Sequence, residues 1–228
     1  MSSSGKPSIV FCHGIWADGS CFNKIMEPLQ AAGYECISAQ YNLDTVDSDI
    51  AAVTRTLKRV SNPAILVGHS YGGQVITGAG NDDRVRALVY ICALGPDEGE
   101  TGQIQQDRFP KTDVFKQIAV ADGRVWMLPD GISDFCGDLP EAEQKIVWAT
   151  ANPPDVNLFN HPSGPPAWKK KPSWFIVGKN DRSVHPDLER YVAKRMGATT
   201  IELDSSHCPM LSQPTAVLDF IMKAVNAI

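Results

Sequence analysis

Short apolar runs alternate with segments of helical spacing along most of the chain. The apolar runs contain few polar positions, which is typical of strands buried on both faces of a parallel sheet. Gly33 ends the first helical segment, and Asn62-Pro63 ends the second. In chain order, the pattern predicts strand 9–12, helix 22–32, strand 34–40, helix 49–60, strand 64–67, helix 71–79, strand 85–93, strand 173–177, helix 186–196, strand 199–203 and helix 214–225. Repeated alternation of this kind predicts an α/β fold with a parallel sheet and helices on both faces.

The alternation stops between residues 94 and 172, where helices are predicted only near 114–120 and 141–149. A structureless loop of this length is implausible in a compact domain. Open α/β sheets bind ligands beyond the carboxyl ends of their strands, so we expect a helical cap inserted over that edge. The predicted organisation is therefore a single domain, with residues 1–94 and 172–228 as its core and 95–171 as the cap.

Composition and charge narrow the possible partners. A chain of 228 residues suits one α/β domain, and 43% of its residues are hydrophobic. The net charge is −5 and no basic cluster is longer than Lys169-Lys170-Lys171, so nucleic acid is not an expected partner. The six cysteines form neither a Cys-x-x-Cys pair nor a Cys/His cluster at zinc spacing. We therefore predict reduced thiols and neither a metal nor another cofactor, and we expect Cys208 to be sensitive to oxidation because it follows a candidate catalytic histidine.

The first seven residues are polar and lack the apolar core of a secretory signal. No segment approaches the ~20 apolar residues that span a bilayer. The expectation is a soluble cytoplasmic protein without a membrane partner. The sequence does not predict an oligomeric state.

The most informative motif is Gly68-His69-Ser70-Tyr71-Gly72, which lies between an apolar strand and a helical segment. A Gly-x-Ser-x-Gly motif in that context forms a sharp turn that lifts the serine hydroxyl above the sheet. Because the glycines lack Cβ atoms, the backbone can pass close to itself. We identify Ser70 as the candidate nucleophile; the alternative is a serine that only caps the helix.

Five histidines compete for the role of general base. His207 follows the last predicted strand, at the same edge of the sheet as the nucleophile, and is the candidate. His13 and His69 are assigned structural roles, because each is expected to point along the sheet. His161 lies in a loop that no strand positions, and His185 opens a helix.

A base of this kind needs a carboxylate to orient it and donors for the oxyanion. Asp181 follows the strand before His207, giving the chain order Ser, Asp, His. Asp204 is the alternative carboxylate. The expected oxyanion donors are the backbone N–H of Tyr71, directly after the nucleophile, and that of Ile15 in the loop after the first strand. Trp16 is the second choice for that loop.

These residues together resemble the α/β-hydrolase superfamily across nearly the whole chain. The matching segments are His13-Gly14, Gly68–Gly73, Gly178–Asp181 and Ser206-His207. The resemblance implies six parallel strands in the order 2-1-3-4-5-6, without the first two strands of larger members. Within the superfamily, the compact layout and the segment 206–214 are similar to the small esterases grouped with plant methylesterases and hydroxynitrile lyases.

The same resemblance bears on the type of reaction. The lyases of that group usually have Thr at the position of Gly14 and Lys at that of Cys208, so both departures favour ester hydrolysis. Haloalkane dehalogenases and most epoxide hydrolases use Asp where this chain has Ser70. Three alternatives stay open: cofactor-free haloperoxidase chemistry, carbon–carbon bond chemistry with the same Ser-His pair, and a non-catalytic protein that retains a ligand.

The expected function is therefore a serine hydrolase acting on a small-to-medium, fairly apolar carboxylic ester or lactone. The candidate substrate-binding residues are Trp16, Trp126, Phe135 and Trp148. The alternative is that most large apolar residues of the cap form its own small core. These cap residues are Phe109, Phe115, Trp126, Met127, Leu128, Phe135, Trp148, Phe159 and Trp168.

Overall fold

A computed structural model describes residues 5–228, so most of the polar start of the chain, residues 1–4, lies outside the described residues. The strands are β1 Ser8–Cys12, β2 Cys36–Ala39, β3 Ala64–His69, β4 Val85–Ile91, β5 Ile118–Ala121, β6 Arg124–Met127, β7 Ser173–Gly178 and β8 Thr199–Leu203. Six of them are parallel and form the central sheet, in the order β2-β1-β3-β4-β7-β8.

The strand order 2-1-3-4-5-6 expected from the sequence is corrected to 2-1-3-4-7-8. Two strands that the sequence pattern did not predict, β5 and β6, come between β4 and β7 and pair only with each other, antiparallel. The predicted helix 114–120 is instead a short 3₁₀ helix, Asp113–Lys116, followed by β5. Asp122 and Gly123 join the two strands with φ of 52° and 72°, as a tight two-residue hairpin turn requires. The cap is therefore not purely helical.

The described residues form nine α-helices, and most of those in the core agree with the predicted positions. The second begins earlier than predicted because Thr45 and Ser48 form a reciprocal capping box at its start. Gly197 ends the seventh in the left-handed conformation, with φ of 64°. The helices are α1 Asn23–Ala31, α2 Val46–Leu57, α3 Tyr71–Ala79, α4 Gly102–Gln106, α5 Ile132–Cys136, α6 Glu141–Ala149, α7 Pro186–Met196, α8 Pro209–Ser212 and α9 Pro214–Val225.

Each face of the sheet carries its own apolar core. Side chains alternate along the strands, so Val10 and Leu66 pack with α2, α3 and α7, while Ile9 and Val67 pack with α1 and α9 on the other face. Full burial of a side chain of this size contributes about 1.5–3 kcal/mol. The two cores hold the carboxyl ends of the strands, and the loops that follow them, in fixed positions.

Short elements fill the chain between β4 and β7: helices α4, α5 and α6, several 3₁₀ turns and the β5–β6 hairpin. The division into core and cap at residues 95 and 171 stays a prediction. Within residues 5–228, no helix has the length and apolar character that crossing a membrane requires.

Candidate active site

Ser70 lies at the junction of β3 and α3 in a strained backbone conformation, with φ of 56° and ψ of −125°. Such conformations cost on the order of 1–3 kcal/mol and persist where their surroundings hold them. Here the Ser70 N–H donates to the Ile91 carbonyl at 3.0 Å, and the Leu94 N–H donates to the Ser70 carbonyl at 3.1 Å. Both partners come from β4 or the loop after it, so the neighbouring strand fixes the turn.

Two glycines allow the backbone to approach this turn closely. A Cβ atom on Gly72 would lie 2.2 Å from the Cys12 carbonyl oxygen. A Cβ atom on Gly14 would lie 2.6 Å from the Cβ of Ser70. The loop after β1 therefore runs directly against the serine, which is possible only because both positions lack a side chain.

His207 and Asp181 lie in the loops after β8 and β7 and contact each other at 2.5 Å, from Nδ1 to Oδ2. Both side chains are buried. The other carboxylate oxygen, Oδ1, accepts the N–H groups of Ser183 at 2.6 Å and Val184 at 2.9 Å. Because an ionised carboxylate only accepts, the proton of a neutral His207 belongs on Nδ1, and Nε2 carries a lone pair.

Asp204 lies elsewhere. Its side chain is 76% exposed and pairs with Lys179 at 2.8 Å. Surface pairs of this kind contribute about 0–1 kcal/mol. The contact with His207 is made by Asp181 alone of the two candidate carboxylates.

Two other histidines are buried in the structural surroundings of this site. His69 Nε2–H donates to the His207 carbonyl oxygen at 2.8 Å, and burial lowers the pKa of His69 well below its usual value, with His207 adding to the effect. His13 Nδ1–H donates to the Gly14 carbonyl at 2.9 Å, and its ring stacks on Tyr41. Burial also lowers the pKa of His13. Both side chains are therefore neutral supports of the loops.

The two remaining histidines flank helical segments. His161 follows a 3₁₀ turn in the cap. His185 caps the start of α7, where its Nδ1 accepts the N–H of Asp187 at 3.2 Å.

Backbone N–H groups border the serine. The amides of Ile15 and Tyr71 have no acceptor among the described residues. The Tyr71 amide is the first of α3, and such amides lack a partner within their own helix. The Trp16 amide, in contrast, donates to the Asn152 carbonyl at 2.9 Å. Of the two amides in the loop after β1, only that of Ile15 therefore lacks an acceptor within residues 5–228.

Ser70 and His207 line one cavity of about 160 Å³ between the strand-end loops and the cap. Of the four predicted substrate-binding residues, Trp16 and Phe135 line it. The full lining is Ile15, Trp16, Ser70, Leu94, Gln103, Gln106, Val114, Phe115, Ile118, Val125, Phe135, Pro154, Val156, Phe159, Asn160, Ser183, Val184 and His207. Most of these side chains are apolar.

The sequence of this chain matches the alpha/beta hydrolase family over residues 9–220. The chain belongs to the α/β-hydrolase family. It is 24% identical to alpha/beta hydrolase nvfD of Aspergillus novofumigatus over an alignment of 249 positions that covers 97% of each chain. Two solved structures have similar folds. A pyrethroid hydrolase from Sphingobium faniae has a TM-score of 0.82 at 20% identity, covering 97% of this chain and 98% of its own. Polyneuridine aldehyde esterase has a TM-score of 0.83 at 15% identity, covering 96% and 99%.

Two of the predicted substrate-binding residues of this α/β-hydrolase, Trp126 and Trp148, lie outside the cavity that Ser70 and His207 line. Side chains alternate along β6, and Val125 faces the cavity, so Trp126 points outward and is 44% exposed. Trp148 lies on α6, which has no buried residue, and is 42% exposed. Neither lines the cavity.

Several lining residues of the hydrolase carry no recognisable signal in the sequence. Gln103 and Gln106 belong to α4, a helix of five residues that is too short for its periodicity to be recognised. Val125 belongs to the unpredicted hairpin. Among the apolar cap residues considered, Phe115, Phe135 and Phe159 reach the cavity. Recognising Asp122-Gly123 as a hairpin turn would have identified Val125, through the alternation of the strand.

One group of potential metal ligands lies together in the described part of the hydrolase: Cys92, Asp181 and His207, whose ligand atoms are within 4.8 Å of one another. Burial raises the pKa of the Cys92 thiol well above its usual value, whereas a metal needs the thiolate. Asp181 and His207 are also hydrogen-bonded to each other, which occupies the atoms that would bind a metal. The chemistry of this donor set does not favour a metal ion. All six cysteines are free.

Proposed function

We propose that this α/β-hydrolase is a serine hydrolase that cleaves a small, apolar carboxylic ester or lactone through an acyl-enzyme. The observation that carries the proposal is the buried 2.5 Å contact between His207 Nδ1 and Asp181, in a chain where Ser70 and His207 line the same cavity. A base with its Nδ1 proton committed to a carboxylate has Nε2 free to take a proton from a serine hydroxyl.

The chemistry follows in two acyl transfers. His207 Nε2 takes the Ser70 proton while Oγ attacks the ester carbonyl, and the carbonyl oxygen becomes an oxyanion held by the Ile15 and Tyr71 amides. The C–O bond to the leaving alcohol then breaks, and His207 returns the proton to that oxygen. Water repeats the sequence and releases the acid. Asp181 stabilises the imidazolium that forms in each half.

The size and lining of the cavity suggest the substrate class. At about 160 Å³ it is smaller than the ~300–1,000 Å³ typical of sites for drug-sized ligands, which favours short acyl groups. A second cavity of about 210 Å³ shares Gln103, Gln106, Phe115, Ile118 and Ser183 with it. A longer or more polar substituent would extend in that direction.

The lack of room for a side chain at Gly14 also favours hydrolysis over cyanohydrin cleavage. Hydroxynitrile lyases of the resembling group usually have Thr there, and in this chain even a Cβ atom would lie 2.6 Å from that of Ser70. Relatives are named as hydrolases or esterases, including the pyrethroid hydrolase and polyneuridine aldehyde esterase. Their names support hydrolysis in general and do not define the substrate of this chain.

The test is release of p-nitrophenol from acyl esters of increasing chain length by the wild type and by Ser70→Ala. We expect turnover that falls to background in the variant, with an optimum at short acyl chains. Turnover that survives Ser70→Ala would contradict the mechanism. An optimum at long chains would contradict the substrate size.

A further inference from the structure

A second carboxyl group lies buried directly behind Asp181. Glu189 is on the first turns of α7, the helix that follows the loop of Asp181, and its exposure is 0%. Carboxyl groups are almost never buried completely unless they are paired. Neither the motifs nor the proposed reaction assigns Glu189 a role.

The two carboxylate oxygens of Glu189 have different surroundings. Oε2 accepts the N–H of Gly178, at the end of β7, at 2.9 Å. Oε1 is buried, and no donor among residues 5–228 reaches it. Gly178 connects the two acidic residues, because its N–H donates to Glu189 and its carbonyl oxygen accepts the N–H of Asp181 at 3.2 Å. The charge and hydrogen bonding of Asp181 act on the Glu189 carboxyl group. Two acceptors facing each other form a hydrogen bond only if one of them carries a proton.

The distribution of donors decides which carboxyl group carries that proton. Asp181 accepts three hydrogen bonds, from the N–H groups of Ser183 and Val184 and from His207. Glu189 accepts one, from Gly178. Hydrogen bonds to the charged form favour ionisation, and two adjacent buried carboxylates do not both ionise. The distribution of donors therefore favours the proton on Glu189.

The other charged or titratable groups around Glu189 do not change this assignment. The Cys92 thiol stays neutral, because burial raises its pKa well above the usual value. Arg190, on the same helix, points to the surface, where it pairs with Asp187 and Glu202. Burial, followed by the charge of Asp181, raises the pKa of Glu189 well above its usual range.

We propose that Glu189 is a positioning residue: a neutral carboxylic acid whose O–H donates to Asp181 and holds that carboxylate in place against His207. The catalytic half of this inference rests on the proposed function. The protonation half does not, because it concerns only the folded chain.

The first experiment tests whether Glu189 is protonated, by comparing the folding equilibria of the wild type and Glu189→Gln. Glutamine is a neutral isostere: its carbonyl oxygen can still accept the N–H of Gly178, and its amino group can still donate to Asp181. Because the pKa of Glu189 is raised in the folded state above its unfolded value, the contribution of this group to the free energy of unfolding is present at low pH and is lost as pH rises. Above about pH 5, the wild-type folding constant should therefore fall about tenfold per pH unit relative to that of the variant. Groups common to both proteins cancel. A ratio independent of pH between 5 and 8 would overturn the proposal.

The second experiment tests the positioning through the pH dependence of kcat/KM, whose acidic limb reports the base of the free enzyme. Glu189→Gln should keep that limb in place and kcat within about threefold of wild type. Glu189→Leu should lower kcat at least about tenfold with little change in KM. If Glu189 were ionised, removing its charge would move the acidic limb down by about one unit or more.

The outcomes separate the two proposals. A wild type without Ser70-dependent turnover contradicts the proposed function, while the folding comparison still decides the protonation of Glu189. A wild type that turns over, with Glu189→Leu equal to it in kcat, overturns the positioning role. If Glu189→Leu does not fold, Glu189→Gln decides alone. An acidic limb and a kcat equal to those of the wild type support a neutral donor at residue 189, and a displaced acidic limb overturns the proposal.

Discussion

Replacing Asp181 with Asn tests the role of the buried carboxylate with the least change in shape. Two backbone N–H groups converge on Oδ1 of Asp181 at 2.6 and 2.9 Å. An Asn side chain must present its carbonyl oxygen to these donors, because its amino group would face two N–H groups. The amino group is therefore directed at His207 Nδ1, where the carboxylate oxygen now lies at 2.5 Å.

This orientation sets the expected magnitude. With a donor facing it, Nδ1 must accept, so the imidazole proton moves to Nε2 and the ring no longer takes a proton from Ser70. In a serine protease, the same exchange of tautomer lowers kcat by about 10⁴. Four powers of ten correspond to about 5.5 kcal/mol in the activation barrier. We expect a loss of this order in kcat, with KM nearly unchanged.

The assay is p-nitrophenyl ester hydrolysis by Asp181→Asn beside the matched control Asp204→Asn, with thermal melts to establish that both variants fold. Asp204 is exposed and makes a surface pair with Lys179, so its variant should retain wild-type kcat. If Asp181→Asn retains more than about a tenth of wild-type kcat, the tautomer argument fails. A large loss in Asp204→Asn instead would transfer the role to that residue.

Three further predictions concern the cavity and the core. Gly14→Ala should lower kcat at least about tenfold, because the new Cβ would lie 2.6 Å from the Cβ of Ser70. Gly164→Ala should retain the wild-type kcat, because a Cβ atom there would have no atom within 4 Å. Steady-state kinetics of both variants test this. Phe115→Ala should shift the acyl-chain optimum to longer esters by joining the two cavities, and Trp148→Ala, outside the lining, should leave it in place. Burial raises the pKa of Asp49 to about 6, so the ionisation of this residue destabilises the folded protein as pH rises from about 4 to 6. Relative to wild type, Asp49→Asn should gain up to about 3 kcal/mol in the free energy of unfolding across that window and no more above it, as measured by urea denaturation; a constant difference would contradict the shift.

The parts of the site that follow strands could be predicted from the sequence, because parallel strands bring their carboxyl ends to one edge. Ser70 directly follows the buried strand β3, Asp181 lies shortly after the buried strand β7, and His207 lies shortly after the partly exposed edge strand β8. The structure brings Asp181 and His207 into contact and places Ser70 and His207 at one cavity. The cap offered no such rule. The largely apolar segment 114–120 fits a helix as well as a strand, and only the Asp122-Gly123 turn after it indicates the hairpin that the structure shows.

Large aromatic side chains were a poor guide to the pocket for a related reason. Trp126 and Trp148 are aromatic residues of the cap, but each donates its indole N–H to a carbonyl of the hairpin or its flank, at 3.2 and 3.3 Å, and leaves part of the ring exposed. An amphipathic ring of this kind is stable at a surface. Deciding which ring faces inward needs the register of the hairpin, which depends on where β5 and β6 pair.

His69 shows why the turn around Ser70 constrains more than the nucleophile. Its Nε2–H fixes the carbonyl of His207, and the ring centroids of the two histidines are 4.6 Å apart. In the proposed reaction His207 becomes an imidazolium, which a second positive charge at that distance would disfavour. Burial keeps the pKa of His69 low, so the ring next to the base stays neutral. His69, a residue inside the nucleophile motif, therefore holds the loop of His207 in place and, because it is neutral, does not oppose the positive charge that forms on His207.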